Sequence, residues 1–172
     1  MTATEFAQTS FVYGHSDRLC SATPLTPPCH ADGIDEDVAD CEHGGGVFVG
    51  GASSVVITAG SQVANNLATG CGGGVYGSTN TKIVVSDQST VANNAAIRAG
   101  GGLHGAWIAL KGGSRIVENF ADREGGGVFV RAAGSLITSN GSCIAKNMAE
   151  HRGGGISCGV HGSISVSALG TR

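Results

Sequence analysis

Charged side chains recur at one place in this sequence, just before runs of three glycines. Arg98, Arg123 and His151 each stand two residues before such a run, and Asp122 and Glu150 stand three residues before the last two runs. Carboxylates that bind Ca²⁺ beside an arginine base would suit a polysaccharide lyase acting on an acidic sugar. Each carboxylate has a basic neighbour, so the sequence favours mutual neutralisation on a solvated edge, with the lyase as an alternative.

Other catalytic patterns are missing from the sequence. Glu124 aligns with Arg152 rather than with a second acid, so no further carboxylate pair suggests a glycosidase. No serine stands in a nucleophile elbow. We therefore expect no catalytic residues and a protein that is not an enzyme.

The six cysteines favour disulfides and an oxidising compartment, because their number is even and half of them lie in a loop-rich segment containing proline. The expected pairs are Cys20 with Cys29, and Cys41 with Cys71. Cys143 and Cys158 occupy different places in the repeat described below, so we expect them to be unpaired core residues.

Two metal sites are alternatives to this interpretation. Cys20, Cys29, His30, Cys41 and His43 lie close in sequence, but their spacing fits no zinc signature. The acidic stretch 32–40, DGIDEDVAD, lacks the ligand order and the distal glutamate of a Ca²⁺ loop. We expect no metal and no cofactor, and we interpret the acidic stretch as part of a solvated cap.

The charge of the chain is divided unevenly. Its net charge of −3 combines −7 for residues 1–43 with +4 for residues 44–172, and the basic residues do not cluster. This is a poor footprint for nucleic-acid binding. No apolar run is long enough to span a membrane, and no signal peptide is visible. The cysteines predict an extracellular, cell-surface or other oxidising, lumenal location.

The glycine runs mark a repeat that must position all of these side chains. They begin at Gly44, Gly72, Gly100, Gly125 and Gly153, so their spacing is constant except for one shorter interval after Gly100. Each unit contains three short apolar segments separated by turn residues, such as VFV, SVVIT and VANN. Segments this short cannot bury an apolar face alone, so the units must stack. The sequence predicts an all-β, right-handed parallel β-helix of about four and a half rungs of about 28 residues.

Residues 1–43 lack the repeat signals, and we expect them to form an acidic N-terminal cap, with residues 44–172 as the repeat domain. The third unit is shortened between Gly102 and Trp107. The fifth unit stops before its asparagine, so we expect either a longer native chain, or a partner or larger assembly that covers its open rung.

Two columns of the repeat are expected to be structural. Asparagine recurs six residues before the last four glycine runs, and stacked amides can bond along the axis as a ladder. These asparagines are Asn66, Asn94, Asn119 and Asn147. The central glycines are expected to form a corner where backbones approach closely. They are Gly45, Gly73, Gly101, Gly126 and Gly154.

A third column is mostly aromatic and is formed by Phe48, Tyr76, His104 and Phe129. If the preceding aliphatic residues point inward, alternation along the strand turns these rings outward. Such an exposed row would suit a sugar or a protein partner. The alternative is a reversed register, in which the rings belong to the core.

The two recurring motifs resemble the GGA[IL] and FxxN repeats of chlamydial polymorphic outer-membrane proteins. Here glycine replaces the alanine, and Val or Ile replaces the phenylalanine. The matching segments, within residues 44–158, are Gly44–Val47, Gly72–Val75, Gly100–Leu103, Gly125–Val128 and Gly153–Ile156, with Val63–Asn66, Val91–Asn94, Ile116–Asn119 and Ile144–Asn147. The resemblance implies a right-handed β-helix passenger domain used for adhesion and surface display.

Three functions follow as hypotheses. The first is a non-catalytic adhesin-like, surface-display or structural module. The second is a scaffold subunit docked in a larger extracellular or lumenal assembly. The third is a fragment of a polysaccharide-active enzyme. A protein partner is expected, carbohydrate remains open as a ligand, and nucleic acid is not expected.

Overall fold

The computed structural model describes residues 43–167 together with two short strands nearer the N-terminus, β1 (Ala3–Phe6) and β2 (Phe11–Val12). All strand pairs in the described part of the chain are parallel. From residue 43 onward, paired residues lie about one repeat apart in sequence, as with Val63 and Val91. The predicted all-β parallel solenoid is confirmed, with about four turns and no helix among the described residues.

The strands form three parallel sheets that run along the solenoid. The first contains β1, β3 (Val47–Val49), β4 (Ser54–Ile57), β7 (Val75–Gly77), β8 (Lys82–Val85), β11 (Leu103–Leu110), β14 (Val128–Thr138), β17 (Ile156–Cys158) and β18 (Ser163–Val166). The second contains β2, β5 (Gln62–Ala64), β9 (Thr90–Ala92), β12 (Arg115–Val117) and β15 (Cys143–Ala145). The third contains β6 (Leu67–Ala68), β10 (Ala95–Ala96), β13 (Phe120–Ala121) and β16 (Met148–Ala149).

The third sheet is a feature that the sequence did not predict. It adds a two-residue strand to each rung directly after the ladder asparagine, where alanine recurs in the second position. Ala68, Ala96 and Ala121 are buried there. The alanine column therefore belongs to a strand that turns the chain toward the glycine corner.

The core consists of aliphatic side chains stacked in columns. One column follows the glycine runs and includes Val75, Leu103 and Val128, each with no exposed surface. A second group of core side chains comes from β4, β8 and the later parts of β11 and β14 in the first sheet, namely Val55, Ile57, Ile83, Val85, Ile108, Leu110 and Leu136. A third group comes from the second sheet, namely Val63, Val91 and Ile116. Because the same residue class recurs at each level, every rung buries its apolar face against its neighbours.

The short third rung changes the path of the chain beside it. Gly105 pairs with Val130, but Trp107 pairs with Ser135, so a single residue in the third rung faces the longer segment 131–134 in the next. The shortening thus falls within the predicted interval. The backbone of Gly134, in the longer segment, lies against Ala106. This arrangement places Arg131 beside the shortened rung.

Part of the expected N-terminal cap continues the solenoid. Strand β1 pairs with β4, and β2 pairs with β5, both in parallel register. The expected Cys20–Cys29 disulfide, residues His30 and Cys41, and the stretch 32–40 lie outside the described residues.

The C-terminal rung is open in the described part of the chain. Strands β17 and β18 pair with β14 on one side, and every side chain of β18 is exposed. Ile164 is 46% exposed and Val166 is 76% exposed, whereas Leu136, which pairs with Ile164, is fully buried. Residues of the core columns are thus uncovered at this end.

A search of the described residues for a helix long and apolar enough to span a membrane finds none.

Candidate functional site

The four asparagines form a hydrogen-bonded ladder along the axis. Nδ2 of Asn66 donates to Oδ1 of Asn94 at 2.9 Å, Nδ2 of Asn94 donates to Oδ1 of Asn119 at 3.0 Å, and Nδ2 of Asn119 donates to Oδ1 of Asn147 at 3.0 Å. The backbone N–H groups of the first three donate to the same oxygens. Asn66, Asn94 and Asn119 are buried, so the ladder satisfies polar groups inside the solenoid.

The left-handed residue of this turn precedes the ladder asparagine. Asn65, Asn93, Glu118 and Lys146 have φ between 54° and 59°. The residue before the asparagine thus adopts the left-handed conformation that the tight turn requires. The asparagine itself can then form hydrogen bonds along the axis. Of these four, Glu118 and Lys146 form an exposed ion pair at 3.4 Å.

The central glycines lie where successive rungs meet most closely. A Cβ placed on Gly45 would lie 2.5 Å from the carbonyl oxygen of Gly73 and 2.6 Å from that of Leu67. Gly73, Gly101 and Gly126 have equally close carbonyl neighbours, and Gly154 has more room, with its nearest neighbour, the carbonyl oxygen of Asn147, at 3.0 Å. The first glycine of each run has φ between 58° and 73°, which other residues rarely adopt.

The aromatic column is a continuous stack. Ring centroids are 5.3 Å apart for Phe48 and Tyr76, 5.0 Å for Tyr76 and His104, and 5.1 Å for His104 and Phe129. All three pairs are within 13° of parallel. The column points away from the aliphatic core, because the residues before it, such as Val75 and Leu103, are the ones that are buried in the core.

The expectation of an exposed aromatic row is wrong for its central members. Phe48 is 60% exposed, but Tyr76 and His104 are only 8% and 6% exposed. Rings that repeat at the spacing of one rung stack on each other, so their faces are already covered by neighbours. The ring faces of Tyr76 and His104 are therefore not open for a sugar to stack on.

Arg131 contributes to this burial. Its Nη1 donates a hydrogen bond to the hydroxyl oxygen of Tyr76 at 3.2 Å, although the two residues lie two rungs apart. The side chain crosses the level of the short third rung, which contains His104. Its guanidinium is close enough to His104 to affect its ionisation. Sequence reasoning missed Arg131; the signal that could have found it is an arginine directly after the segment VFV in the rung that follows the shortened one.

His104 is held as a neutral imidazole by its surroundings. Burial lowers its pKa well below the ordinary value of 6.5, and the charges of Arg131, His43 and Arg98 lower it further. Its Nδ1 is buried and has no hydrogen-bond partner among the described residues. A buried polar atom without a partner costs stability, so this atom marks a place where a ligand or another part of the chain would be favoured.

His43 extends the cluster toward the N-terminal end. Its ring stacks on Tyr76 with a centroid distance of 4.3 Å, and its Nδ1 accepts a hydrogen bond from the backbone N–H of Cys71 at 3.0 Å. Burial lowers the pKa of His43, as do the positive charges of Arg98 and Arg131. His43, Tyr76, His104, Arg98 and Arg131 thus form one aromatic–arginine cluster.

The charged corner that first suggested chemistry is aligned as the sequence indicates. The backbone N–H of Arg123 donates to the carbonyl of Arg98, and that of His151 donates to the carbonyl of Arg123. Glu124 pairs with Arg152 at 3.3 Å and also accepts a hydrogen bond from the Ser157 hydroxyl at 3.1 Å. This acid is therefore engaged in neutralising and positioning its neighbours.

Asp122 and Glu150 lie one rung apart at the same corner, since the N–H of Asp122 bonds to Ala96 and that of Glu150 to Ala121. Within the described residues, no group of three or more His, Cys, Asp or Glu side chains could hold a metal ion.

Two cysteines of the repeat domain are free thiols, Cys143 and Cys158. Cys158 packs against the core, as expected. The expectation of a core position is wrong for Cys143, which is exposed because its column in the second sheet faces outward, as Arg115, its partner in the previous rung, also does. Cys71 is buried, and the partner expected for it, Cys41, lies outside the described residues.

Comparisons with protein-family models, with curated proteins and with solved structures find no match for this chain. The geometry alone therefore supports the functional argument.

Proposed function

We propose that this protein is a non-catalytic structural module of the adhesin-like or surface-display kind, which docks another β-structure at its C-terminal end. The observation that supports the proposal is the exposure of Ile164 and Val166 on β18, in columns whose preceding members are buried. A solenoid rung of this kind gains stability when a further layer covers it.

The edge formed by β17 and β18 suits strand addition. Residues 153–167 contain no Lys, Arg, Asp, Glu or Pro, the residues with which natural proteins block an exposed strand edge. The outer side of both strands carries backbone N–H and C=O groups without a neighbouring strand in the described part of the chain. Backbone pairing would supply affinity, and the uncovered Ile164 and Val166 would supply apolar contact.

The interior of the module supports a structural role. The asparagine ladder joins successive rungs by hydrogen bonds. At the glycine corner, the backbones of successive rungs pack closely against each other. The acid Glu124 is paired with Arg152. These features make a rigid scaffold of regular spacing, as a display or docking module requires. A scaffold subunit in a larger assembly would use the same edge.

The simplest occupant of the edge is the same edge of a second copy, which would give a closed, self-complementary dimer. Sedimentation velocity across micromolar concentrations tests this with the full chain. Val166→Lys places a charge in the proposed contact and should shift the equilibrium to monomer. Ile137→Lys is the matched control, because Ile137 is also exposed on the first sheet but lies one rung away from the edge.

A concentration-dependent dimer that Val166→Lys abolishes and Ile137→Lys retains supports the proposal. A chain that stays monomeric at all these concentrations, with Val166→Lys indistinguishable from the parent, contradicts docking through this edge. Loss of the dimer in both variants also contradicts it, since the contact would then not depend on the end of the solenoid.

A further inference from the structure

Asn140 lies in a tight turn that recurs along the solenoid. The N–H of Ser142 donates to the carbonyl oxygen of Ser139 at 3.2 Å, and Asn140 and Gly141 have φ of 53° and 75°. Two successive positive φ angles inside such a hydrogen-bonded turn are typical of type I′. Three earlier rungs carry the same turn at this level, with the central pairs Ala59 with Gly60, Asp87 with Gln88 and Gly112 with Gly113.

The side-chain amide of Asn140 is free to move. The residue is exposed, and its side chain has no hydrogen-bond partner among the described residues. A Cβ placed on Gly141 would meet no atom within 4 Å, so the space beside the amide is open. Glycine also has no side chain to shield its own backbone nitrogen. The amide carbon of Asn140 can therefore approach the nitrogen of Gly141.

The backbone N–H of Gly141 distinguishes this turn from the earlier ones. In each earlier turn the N–H at the second central position donates to a carbonyl of the next rung. These bonds run from Gly60 to Asp87 at 2.8 Å, from Gln88 to Gly112 at 2.8 Å and from Gly113 to Asn140 at 2.9 Å. No described residue accepts a hydrogen bond from Gly141. Its nitrogen can therefore react without first losing such a bond.

The other asparagines of the chain are held more firmly. The four ladder asparagines are joined by hydrogen bonds between their side chains. Asn65 and Asn93 each precede a ladder asparagine whose own N–H is bonded. The N–H that follows Asn80 donates to the carbonyl of Ser78 at 3.1 Å. Asn140 is also the only asparagine in the sequence that is followed by glycine.

We propose that Asn140 is a site of spontaneous deamidation, in which the chain modifies itself with water as the only co-reactant. The backbone nitrogen of Gly141 gives its proton to a solvent base and attacks Cγ of Asn140. The N–Cγ bond forms, the Cγ–Nδ2 bond breaks and ammonia leaves. Water then opens the cyclic imide at either carbonyl and leaves aspartate or isoaspartate. The nucleophile and the amide are adjacent in one chain, which favours this cyclisation.

The reaction changes both the charge and the backbone of this turn. A carboxylate replaces a neutral amide, and isoaspartate lengthens the backbone because its path then runs through the former side chain. The carbonyl of Asn140 accepts the hydrogen bond from Gly113, so the change reaches a contact between rungs. The reaction requires no partner and no contact at the C-terminal edge, so it stands independently of the proposed docking function.

Peptide mapping by mass spectrometry tests the proposal on the purified full chain, incubated in a mildly alkaline buffer and sampled over weeks. We expect aspartate and isoaspartate to accumulate at position 140 at least about tenfold faster than at any other asparagine. Sparing one hydrogen bond lowers the barrier enough for about that factor. Isoaspartate is the diagnostic product, because direct hydrolysis of the side-chain amide gives aspartate alone.

Ala59→Asn is the matched control, since it creates an asparagine–glycine pair in the first of these turns. Position 59 is also exposed, with a φ of 55°, and a Cβ placed on Gly60 also meets no atom within 4 Å. The N–H of Gly60, however, is bonded to the carbonyl of Asp87. Position 59 should therefore react about tenfold more slowly than position 140 in the folded variant. In denaturant, where neither N–H is bonded, both positions should react at the same rate.

Circular dichroism checks that the variant keeps the fold. Equal rates at positions 59 and 140 in the folded variant overturn the role given to the N–H of Gly141. A folded parent that forms no isoaspartate at position 140, while the denatured chain forms it there, overturns the proposal as a whole.

Discussion

Gly127 lies directly against the side chain of Asn147. A Cβ placed on Gly127 would lie 2.7 Å from Nδ2 of that asparagine and 2.6 Å from the carbonyl oxygen of Gly155. The third glycines of the earlier runs have the same relationship, with Gly46 next to Asn66, Gly74 next to Asn94 and Gly102 next to Asn119. The third glycine is thus required by the asparagine ladder, which occupies the space of a methyl group.

Gly127→Ala should destabilise the protein because the added methyl meets the ladder and the next rung. Overpacking of this kind costs about 1 to 3 kcal/mol or more. We expect the melting temperature to fall by several degrees in a thermal unfolding scan.

Gly155→Ala is the control for that substitution. Gly155 occupies the same column one rung later, but the nearest atom to an added Cβ is Cγ2 of Ile144 at 3.8 Å, an ordinary contact. The two variants therefore change the same residue type at the same position of the repeat. Equal losses of stability in both would contradict the role assigned to the ladder.

Asn119→Ala should lower the free energy of unfolding more than most single substitutions in the solenoid. Its Oδ1 accepts a bond from Nδ2 of Asn94, and the two hydrogens of its Nδ2 are shared among Oδ1 of Asn147 and the backbone carbonyls of Val91 and Val117. Removal leaves several buried groups without partners, each costing about 1 to 3 kcal/mol. Chemical denaturation should show a loss of about 3 kcal/mol or more.

Asn93→Gly is the comparison for Asn119→Ala. Asn93 is exposed and has a φ of 54°, which glycine adopts easily, so its replacement should change the free energy of unfolding by less than about 1 kcal/mol. If Asn93→Gly and Asn119→Ala cost the same, the ladder is not a main source of stability.

The repeat and the asparagine column could be predicted from the sequence because each depends on residues that recur at one level of every rung. A position that recurs once in each rung must stack on itself, so the fold, the ladder and the core columns follow from spacing alone. The third sheet escaped this reasoning because its strands are two residues long, too short for a visible alternation.

The environment of the aromatic column could not be predicted, because it depends on an irregularity. Tyr76 and His104 are buried in part because Arg131 reaches across the shortened third rung. The deletion in one rung and the arginine in the next each occur only once in the repeats, so a comparison of the repeat units does not reveal what they do. The pairing of β1 and β2 with the first rung was missed for a related reason, since the insertion between Val12 and Gly44 hides their register.

The hydrogen bond between Arg131 and Tyr76 should couple the two residues energetically. In a double-mutant cycle with Arg131→Met and Tyr76→Phe, we expect a coupling of about 1 kcal/mol or more, because a charged donor strengthens the bond. Denaturant unfolding of the four proteins gives the value. Arg115→Met combined with Tyr76→Phe is the control pair and should show no coupling. A coupling near zero for Arg131 and Tyr76 would refute the contact.

His104 should make the stability of the protein depend on pH. Burial and the charges of Arg131, His43 and Arg98 hold its folded-state pKa well below 6.5, the value it regains on unfolding. The unfolded chain then binds more protons below pH 6.5, so the free energy of unfolding should fall as the pH is lowered from neutrality through this range. His43, whose pKa is also lowered, contributes in the same direction.

His104→Phe tests this dependence while keeping an aromatic ring between Tyr76 and Phe129. The variant retains the stack but has no proton to gain at this position, so its melting temperature should change less between about pH 7.5 and about pH 5.5 than that of the parent. His43→Phe should give a smaller effect, because His43 is less buried and its pKa is less strongly lowered. A parent and a His104→Phe variant with the same pH profile would show that His104 is not held neutral by its neighbours.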